Sequence, residues 1–137
     1  MAVLPPFPSF LIIGVRRNAT RWLRFNLDAH PEICAPPLAL DFFTDADRMA
    51  QRGLRWYREQ FTEWDGEPFV GELSCSYSAW SSQPAQVALR IQKLLPDVRL
   101  IAMVGNPADR FQSNLRDRVR TGVVPRDVDV DAFYRME

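Results

Sequence analysis

Three arginines lie in a short polar loop that follows an apolar segment. Residues Phe10–Val15 read "FLIIGV", and the next six residues, Arg16–Arg21, read "RRNATR". Guanidinium groups bind phosphate and sulfate through paired hydrogen bonds, and a helix that begins at such a loop adds free backbone amides and a positive partial charge. The residue types therefore predict an oxyanion-binding loop. The alternative is an ordinary turn whose arginines are solvated.

The loop does not match the common nucleotide-binding pattern G-x-x-x-x-G-K-[ST]. With Gly14 as the first glycine, that pattern places Ala19, Thr20 and Arg21 at the positions of the second glycine, the lysine and the hydroxyl residue. These three mismatches argue against an ordinary ATPase or kinase.

Strands and helices alternate along the chain. Continuous apolar runs predict buried strands, and residue pairs such as Asn106-Pro107 predict helix starts. This alternation predicts an α/β fold, a parallel sheet flanked by helices in a single domain over residues 1–137. The predicted strands are FLIIGV, part of EICAPP, PFVGEL and VRLIAMV, and the predicted helices begin at Thr20, near Asp45, at Ser81-Ser82 before Pro84 and at Asn106.

The sheet determines where the loops should meet. We expect FLIIGV and VRLIAMV to be its central strands, both buried. Ligands of such sheets bind beyond the carboxyl ends of the strands. The loops Arg16–Arg21 and Gly105–Pro107 should then lie at the same edge.

Composition excludes several classes of protein. The chain has 17 basic and 17 acidic residues, so its net charge does not suggest a nucleic-acid partner. Cys34 and Cys75 lack metal-ligand spacing, and we expect no metal. The prolines at 5, 6 and 8 interrupt the apolar start and argue against a signal peptide. No stretch approaches a membrane span, and we expect a cytoplasmic protein.

Six segments, taken in order, carry a family resemblance. They are FLIIGVRRNATRWL, HPEIC, LALDFF, GLRWYREQF, GELSCSY and LLPDVRLIAMVGNPADRFQS, which together extend from Phe10 to Ser113. This series resembles the N-terminal half of the sulfotransferases that use 3′-phosphoadenosine 5′-phosphosulfate (PAPS), especially the bacterial and heparan-type branch.

The resemblance implies a P-loop-like nucleotide-binding architecture and a site for PAPS. The loop Arg16, Arg17, Asn18, Ala19, Thr20 and Arg21 would wrap the 5′-phosphosulfate, while Gly105 and Ser113 would face the 3′-phosphate. Arg17 would take the part of the family's catalytic lysine, which steadies charge on the bridging oxygen. The acceptor would be a hydroxyl or amine of a small molecule, glycan or lipid.

Several residues depart from the family pattern at the site. The lysine is replaced by Arg17, and the arginine before Asn-Pro is replaced by Gly105. The "KE" pair, whose carboxylate would deprotonate the acceptor, falls on Leu38 and Ala39. Neither of these side chains accepts a proton, so the expected base is missing.

Two acids could replace the missing base. Asp41 lies two residues after Ala39, and its structural alternative is a loop or capping acid. Glu72 follows Gly71 in the PFVGEL strand, and its alternative is a strand-end acid bonded to backbone.

Three functions remain open at this point. The chain is a sulfotransferase, a non-catalytic relative that binds a nucleotide or serves as a partner subunit, or another phosphate-loop enzyme such as a small kinase. Members of this branch usually have about twice this length, so we expect a truncated sheet with an exposed apolar edge. Such an edge invites a second copy or a companion chain.

Overall fold

The computed structural model describes residues 4–36, 39–79 and 83–136. The chain falls into two compact units, Met1–Met103 and Val104–Glu137, and each is described by itself. The single domain over residues 1–137 stays a prediction.

The first unit is built on a four-stranded parallel sheet in the order β2-β3-β1-β4. This confirms the predicted α/β class. The strands are β1 (Phe10–Gly14), β2 (Ile33–Cys34), β3 (Phe69–Leu73) and β4 (Arg99–Ala102).

The prediction of two central, buried strands is right for β1 and wrong for β4. Strand β1 pairs with β3 and β4, whereas β4 pairs with β1 alone among the described strands. Leu100 of β4 is 55% exposed. An apolar run reports that a segment is hydrophobic, but it carries no information on how many neighbours the strand has. The apolar sequence of β4 therefore belongs to an edge strand.

Most predicted helices form where the sequence places them. Asp45 caps α2 by accepting hydrogen bonds from the N–H groups of Asp47 at 2.9 Å and Arg48 at 3.2 Å. Gly53 interrupts α2 with φ 73° and ψ 170°. The predicted start at Ser81-Ser82 lies outside the described residues. The helices are α1 (Thr20–Asp28), α2 (Ala46–Glu59), α3 (Ser76–Ala79), α4 (Pro84–Leu94), α5 (Pro107–Arg120) and α6 (Val130–Met136).

Aromatic side chains from α2 and a 3-10 turn at Phe42–Thr44 form the centre of the core. Tyr57 stacks on Phe42 with ring centroids 4.6 Å apart, and its ring meets Phe43 and Phe61 edge-on. All four rings are fully buried. This packing fixes α2 and the 3-10 turn against the sheet, next to the segment that carries Asp41.

The second unit contains α5 and α6. Asn106 caps α5 by accepting the N–H of Ala108 at 2.8 Å, as its sequence predicts. The Phe111 and Phe133 rings lie 5.6 Å apart and hold the two helices together. Across the part of the chain that the structure describes, no helix is long and apolar enough to cross a bilayer.

Candidate functional site

Strand β1 ends at a glycine that closely approaches the segment after β3. Gly14 has φ +132°, and an added Cβ would lie 2.5 Å from the Ser78 hydroxyl oxygen and 3.5 Å from the Cys75 carbonyl oxygen. A side chain fits neither this backbone conformation nor this space. Gly14 thus brings the start of the loop Arg16–Arg21 against α3.

The loop itself is a compact turn with unusual backbone angles. Arg17 and Ala19 have φ values of 69° and 56°, a left-handed region that residues other than glycine seldom occupy. The Asn18 N–H donates to the Val15 carbonyl at 3.3 Å. Such strained turns concentrate at functional sites, and this one lies where the sequence predicts an oxyanion site.

Helix α1 begins directly after the turn and leaves its first turn without a side-chain cap. Ala19 is the N-cap residue, and a methyl group accepts no hydrogen bond. The first turn of α1 also holds no acidic residue, while Arg16, Arg17 and Arg21 are exposed around it. Uncapped helix amides and guanidinium groups together suit a phosphate or sulfate group.

The segment after β3 connects this loop to the candidate bases. Thr20, the first residue of α1, is buried, and its hydroxyl oxygen lies 3.4 Å from the Cys75 sulfur. The Ser76 hydroxyl donates to Oδ1 of Asp41. Because Ser76 directly follows Cys75, Asp41 lies one short segment away from the start of α1.

Asp41 is held from two sides by serines of that segment. Its carboxylate accepts from Ser76, and its backbone N–H donates to the Ser74 hydroxyl oxygen at 3.1 Å. Asp41 has φ 48° and a half-buried side chain. The carboxylate is therefore both fixed in position and partly open to solvent.

Glu72, by contrast, lies inside the core. It is 1% exposed, and its two carboxylate oxygens accept from three hydroxyl groups. Tyr57 donates to Oε2, while Ser74 and Tyr77 donate to Oε1, Tyr77 at 2.7 Å. Burial raises the pKa of Glu72 above its ordinary value, and the hydrogen bonds oppose that rise.

The pKa values of the two tyrosines around Glu72 are raised as well. Burial, and then the negative charge of Glu72, raise the pKa of Tyr57 and of Tyr77 well above the ordinary range. Both phenols are therefore neutral donors at physiological pH. The predicted alternative for Glu72, an acid bonded to backbone, is wrong, since its hydrogen-bond partners in the described part of the chain are the side-chain hydroxyls of Tyr57, Ser74 and Tyr77.

The remaining predicted site residues divide between the two units. Ala39, at the position of the family's carboxylate, is exposed, and its neighbour Leu38 lies outside the described residues. Gly105 is exposed and Ser113 is half-buried on α5, and both belong to the second unit. The roles of Gly105 and Ser113 toward a 3′-phosphate stay predictions.

Sequence reasoning missed the serines that hold Asp41. Ser74 and Ser76 belong to the segment "SCSYS", which follows β3 without a break. The signal was available, because short hydroxyl side chains directly after a parallel strand lie at the ligand-binding edge of the sheet. Helix α3 in this segment was not predicted either, since four residues carry no periodicity.

The chain is similar in sequence to sulfotransferases. The chain is 36% identical over 108 residues to human "Heparan sulfate glucosamine 3-O-sulfotransferase 6", and the match covers 79% of this chain. It is 33% identical over 107 residues to human "Heparan sulfate glucosamine 3-O-sulfotransferase 3B1", covering 78% of this chain. No protein-family model matches the chain.

A solved structure shares the fold. The "Sulfotransferase from Alicyclobacillus acidocaldarius" superposes with a TM-score of 0.76 and 26% identity over 93% of this chain. The match covers 55% of that solved chain, and the two human relatives are covered over 30% and 26% of their lengths. This chain thus corresponds to part of each of these proteins.

Proposed function

Because the chain belongs to the sulfotransferase family, we propose that it binds PAPS and transfers the sulfuryl group to a hydroxyl or amine acceptor. The observation that carries the proposal is the turn between β1 and α1, with its arginines and its uncapped helix start. In this reaction the acceptor oxygen or nitrogen bonds to sulfur, the bond from sulfur to the 5′-phosphate oxygen breaks, and the acceptor proton passes to a base.

The loop is suited to the 5′ end of the donor. When bound, PAPS supplies an activated sulfuryl group. Arg16, Arg17 and Arg21 offer charge-assisted hydrogen bonds to its anionic oxygens, and the backbone amides at the start of α1 are further donors next to them in sequence. Arg17 keeps the positive charge of the family's lysine, although its planar guanidinium donates in a fixed geometry.

Asp41 is the better placed of the two candidate bases. Its carboxylate is half-buried and fixed by Ser76, so it is open to an acceptor. The Glu72 carboxylate is enclosed by hydroxyl groups, and an acceptor would have to displace core side chains to meet it. We assign the proton acceptor to Asp41.

A second candidate function is that of a non-catalytic relative, which binds the nucleotide donor without turnover or serves as a partner subunit. Ala39 supports it, because general-base catalysis is typically worth about 10²–10⁴-fold in rate and the family's position for the carboxylate holds a methyl group. The donor site would survive this loss, since the arginines and helix amides lie elsewhere. We expect transfer by the isolated chain to be weak for the same reason.

The acceptor class, location and assembly follow as part of the proposal. A small molecule, glycan or lipid with a free hydroxyl or amine is the expected acceptor, and the cytoplasm is the expected location. The exposed β4 edge supports pairing with a second copy or a companion chain.

A transfer assay tests the proposal. Purified protein is incubated with sulfur-labelled PAPS and a panel of phenol, sugar and amine acceptors, and the labelled product is measured. We expect slow transfer that is lost in Asp41→Asn. Transfer that persists in Asp41→Asn and disappears in Glu72→Gln would assign the base to Glu72 instead. Donor binding without any transfer would establish the second candidate.

A further inference from the structure

We propose that Glu72 is a positioning residue that acts on Asp41 through Ser74, so that the ionisation of a buried carboxyl group is transmitted to the site. The proposal rests on the proposed function for its consequence, since Asp41 matters there as the base. It is based on a chain of hydrogen bonds that connects Glu72 in the core, through Ser74, to Asp41 in the half-buried loop.

Ser74 is the link, and it is fully buried. Its hydroxyl donates to Oε1 of Glu72, and its oxygen accepts the backbone N–H of Asp41 at 3.1 Å. A serine hydroxyl has one proton to donate. While that proton is directed to Glu72, the lone pairs of Ser74 remain for Asp41.

Asp41 needs this support because its backbone is strained. Its φ of 48° lies in the left-handed region, a conformation that residues other than glycine keep only where the surrounding structure holds them in it. The Asp41 N–H donates to the Ser74 hydroxyl oxygen, the Ser76 hydroxyl donates to the carboxylate, and the Thr44 hydroxyl donates to the Asp41 carbonyl at 2.6 Å. The Asp41 backbone, from which its side chain projects, is therefore held in part by the lone pair that Ser74 offers to the N–H.

The three hydroxyl donors match an ionised Glu72. Tyr57 from α2, Tyr77 from α3 and Ser74 all donate to it, and an ionised carboxylate only accepts. When Glu72 binds a proton, its own O–H becomes a buried donor that needs an acceptor, and the hydroxyl oxygens of these three groups are beside it. The network then rearranges, and Ser74 is a member of it.

The groups that face Glu72 act on its ionisation in opposite directions. Burial raises the pKa of the carboxyl, the three hydroxyls lower it, and the negative charge of Asp41 raises it. Tyr57 and Tyr77 stay neutral, because burial raises the pKa of each. The charge of Asp41 thus acts directly on the ionisation of Glu72.

The test follows the backbone amide of residue 41 by nuclear magnetic resonance as pH is raised. The variant Asp41→Asn removes the titration of that residue's own carboxyl. We expect the chemical shift of the residue-41 amide to change with pH in a single transition. The signals of the Tyr57 and Tyr77 rings should change with the same midpoint. In the double variant with Glu72→Gln this transition should be lost from all three signals.

Two further variants separate the link from the carboxyl itself. Ser74→Ala, added to Asp41→Asn, should abolish the amide transition while the ring signals still titrate. Tyr57→Phe should keep the amide transition and raise its midpoint, because the ionised carboxylate loses one donor. The proposal is overturned if the residue-41 amide signal stays constant over the pH range in which the tyrosine ring signals change. It is also overturned if the amide signal still changes with them in the Ser74→Ala variant.

Calorimetry on the same samples keeps this proposal separate from the proposed function. The probe is 3′-phosphoadenosine 5′-phosphate (PAP), the desulfated product of the donor. An intact amide transition without PAP binding rejects the donor site and supports the link. PAP binding together with a residue-41 amide signal that does not change with pH rejects the link through Ser74 and supports the donor site.

Discussion

Gly71→Ala tests how tightly the two internal strands are packed. Gly71 on β3 is paired with Phe10 on β1. An added Cβ would lie 2.0 Å from Cζ and 2.2 Å from Cε2 of the Phe10 ring. Ordinary carbon contacts are about 3.5–4.0 Å, so the ring would have to move by about 1.5 Å.

Packing restricts both the Phe10 ring and the β3 backbone at Gly71. The Phe10 side chain is 8% exposed, and β3 lies between β2 and β1. Overpacking of this kind costs about 1–3 kcal/mol, and we expect Gly71→Ala to lower the free energy of unfolding by that amount. Urea unfolding measures it as a lower midpoint with an unchanged slope.

A compensating substitution makes the reasoning refutable. Phe10→Leu removes the ring atoms that would clash, so adding Gly71→Ala in that background should cost less than about 1 kcal/mol. Full stability of Gly71→Ala alone, or an equal cost in both backgrounds, would show that the Phe10 ring does not restrict this position.

Three further outcomes are expected. The pKa of Glu72 is raised in the folded state. The contribution of Glu72 to the free energy of unfolding should therefore be full below the pKa of an unfolded glutamate and be lost as pH rises through the folded pKa. Urea unfolding across pH should show this fall in the wild type and not in Glu72→Gln, and matching profiles would count against it. Asp45→Ala removes the acceptor of two α2 amides and should cost about 1 kcal/mol in the same assay, whereas no change would mean that α2 needs no cap. Gly14→Ala places a Cβ 2.5 Å from the Ser78 oxygen at φ +132° and should weaken PAP binding in calorimetry, with partial recovery on adding Ser78→Gly. Unaltered PAP affinity would separate Gly14 from the donor site.

The fold was largely readable from sequence because local signals determine most of it. The apolar run of β1, the cap at Asn106 and the proline after it act over a few residues, and each element formed where its signal lies. The position of β4 at the sheet edge was missed, because strand order depends on long-range packing that no local run encodes.

The candidate site was readable only in part. The arginine loop is contiguous, so its residue types and spacing identified it. The support of Asp41 comes from Ser74 and Ser76, 33 and 35 residues further along the chain. Contacts at such a separation depend on the tertiary packing of the chain, which no local pattern encodes. The burial of Glu72 has the same origin, since its partners Tyr57 and Tyr77 come from different helices.

The central claim is that the turn between β1 and α1 binds the phosphate end of a nucleotide donor. Calorimetric titration with PAP tests it most directly, in the wild type, in Arg17→Ala and in the control Arg55→Ala, whose side chain lies 81% exposed on α2. The account predicts saturable binding, weakened by about 1.5–3 kcal/mol in Arg17→Ala, the value of a hydrogen bond to a charged group, and unchanged in Arg55→Ala. Wild-type protein without measurable binding, or equal affinity in Arg17→Ala, would contradict the claim and reduce the loop to an ordinary turn.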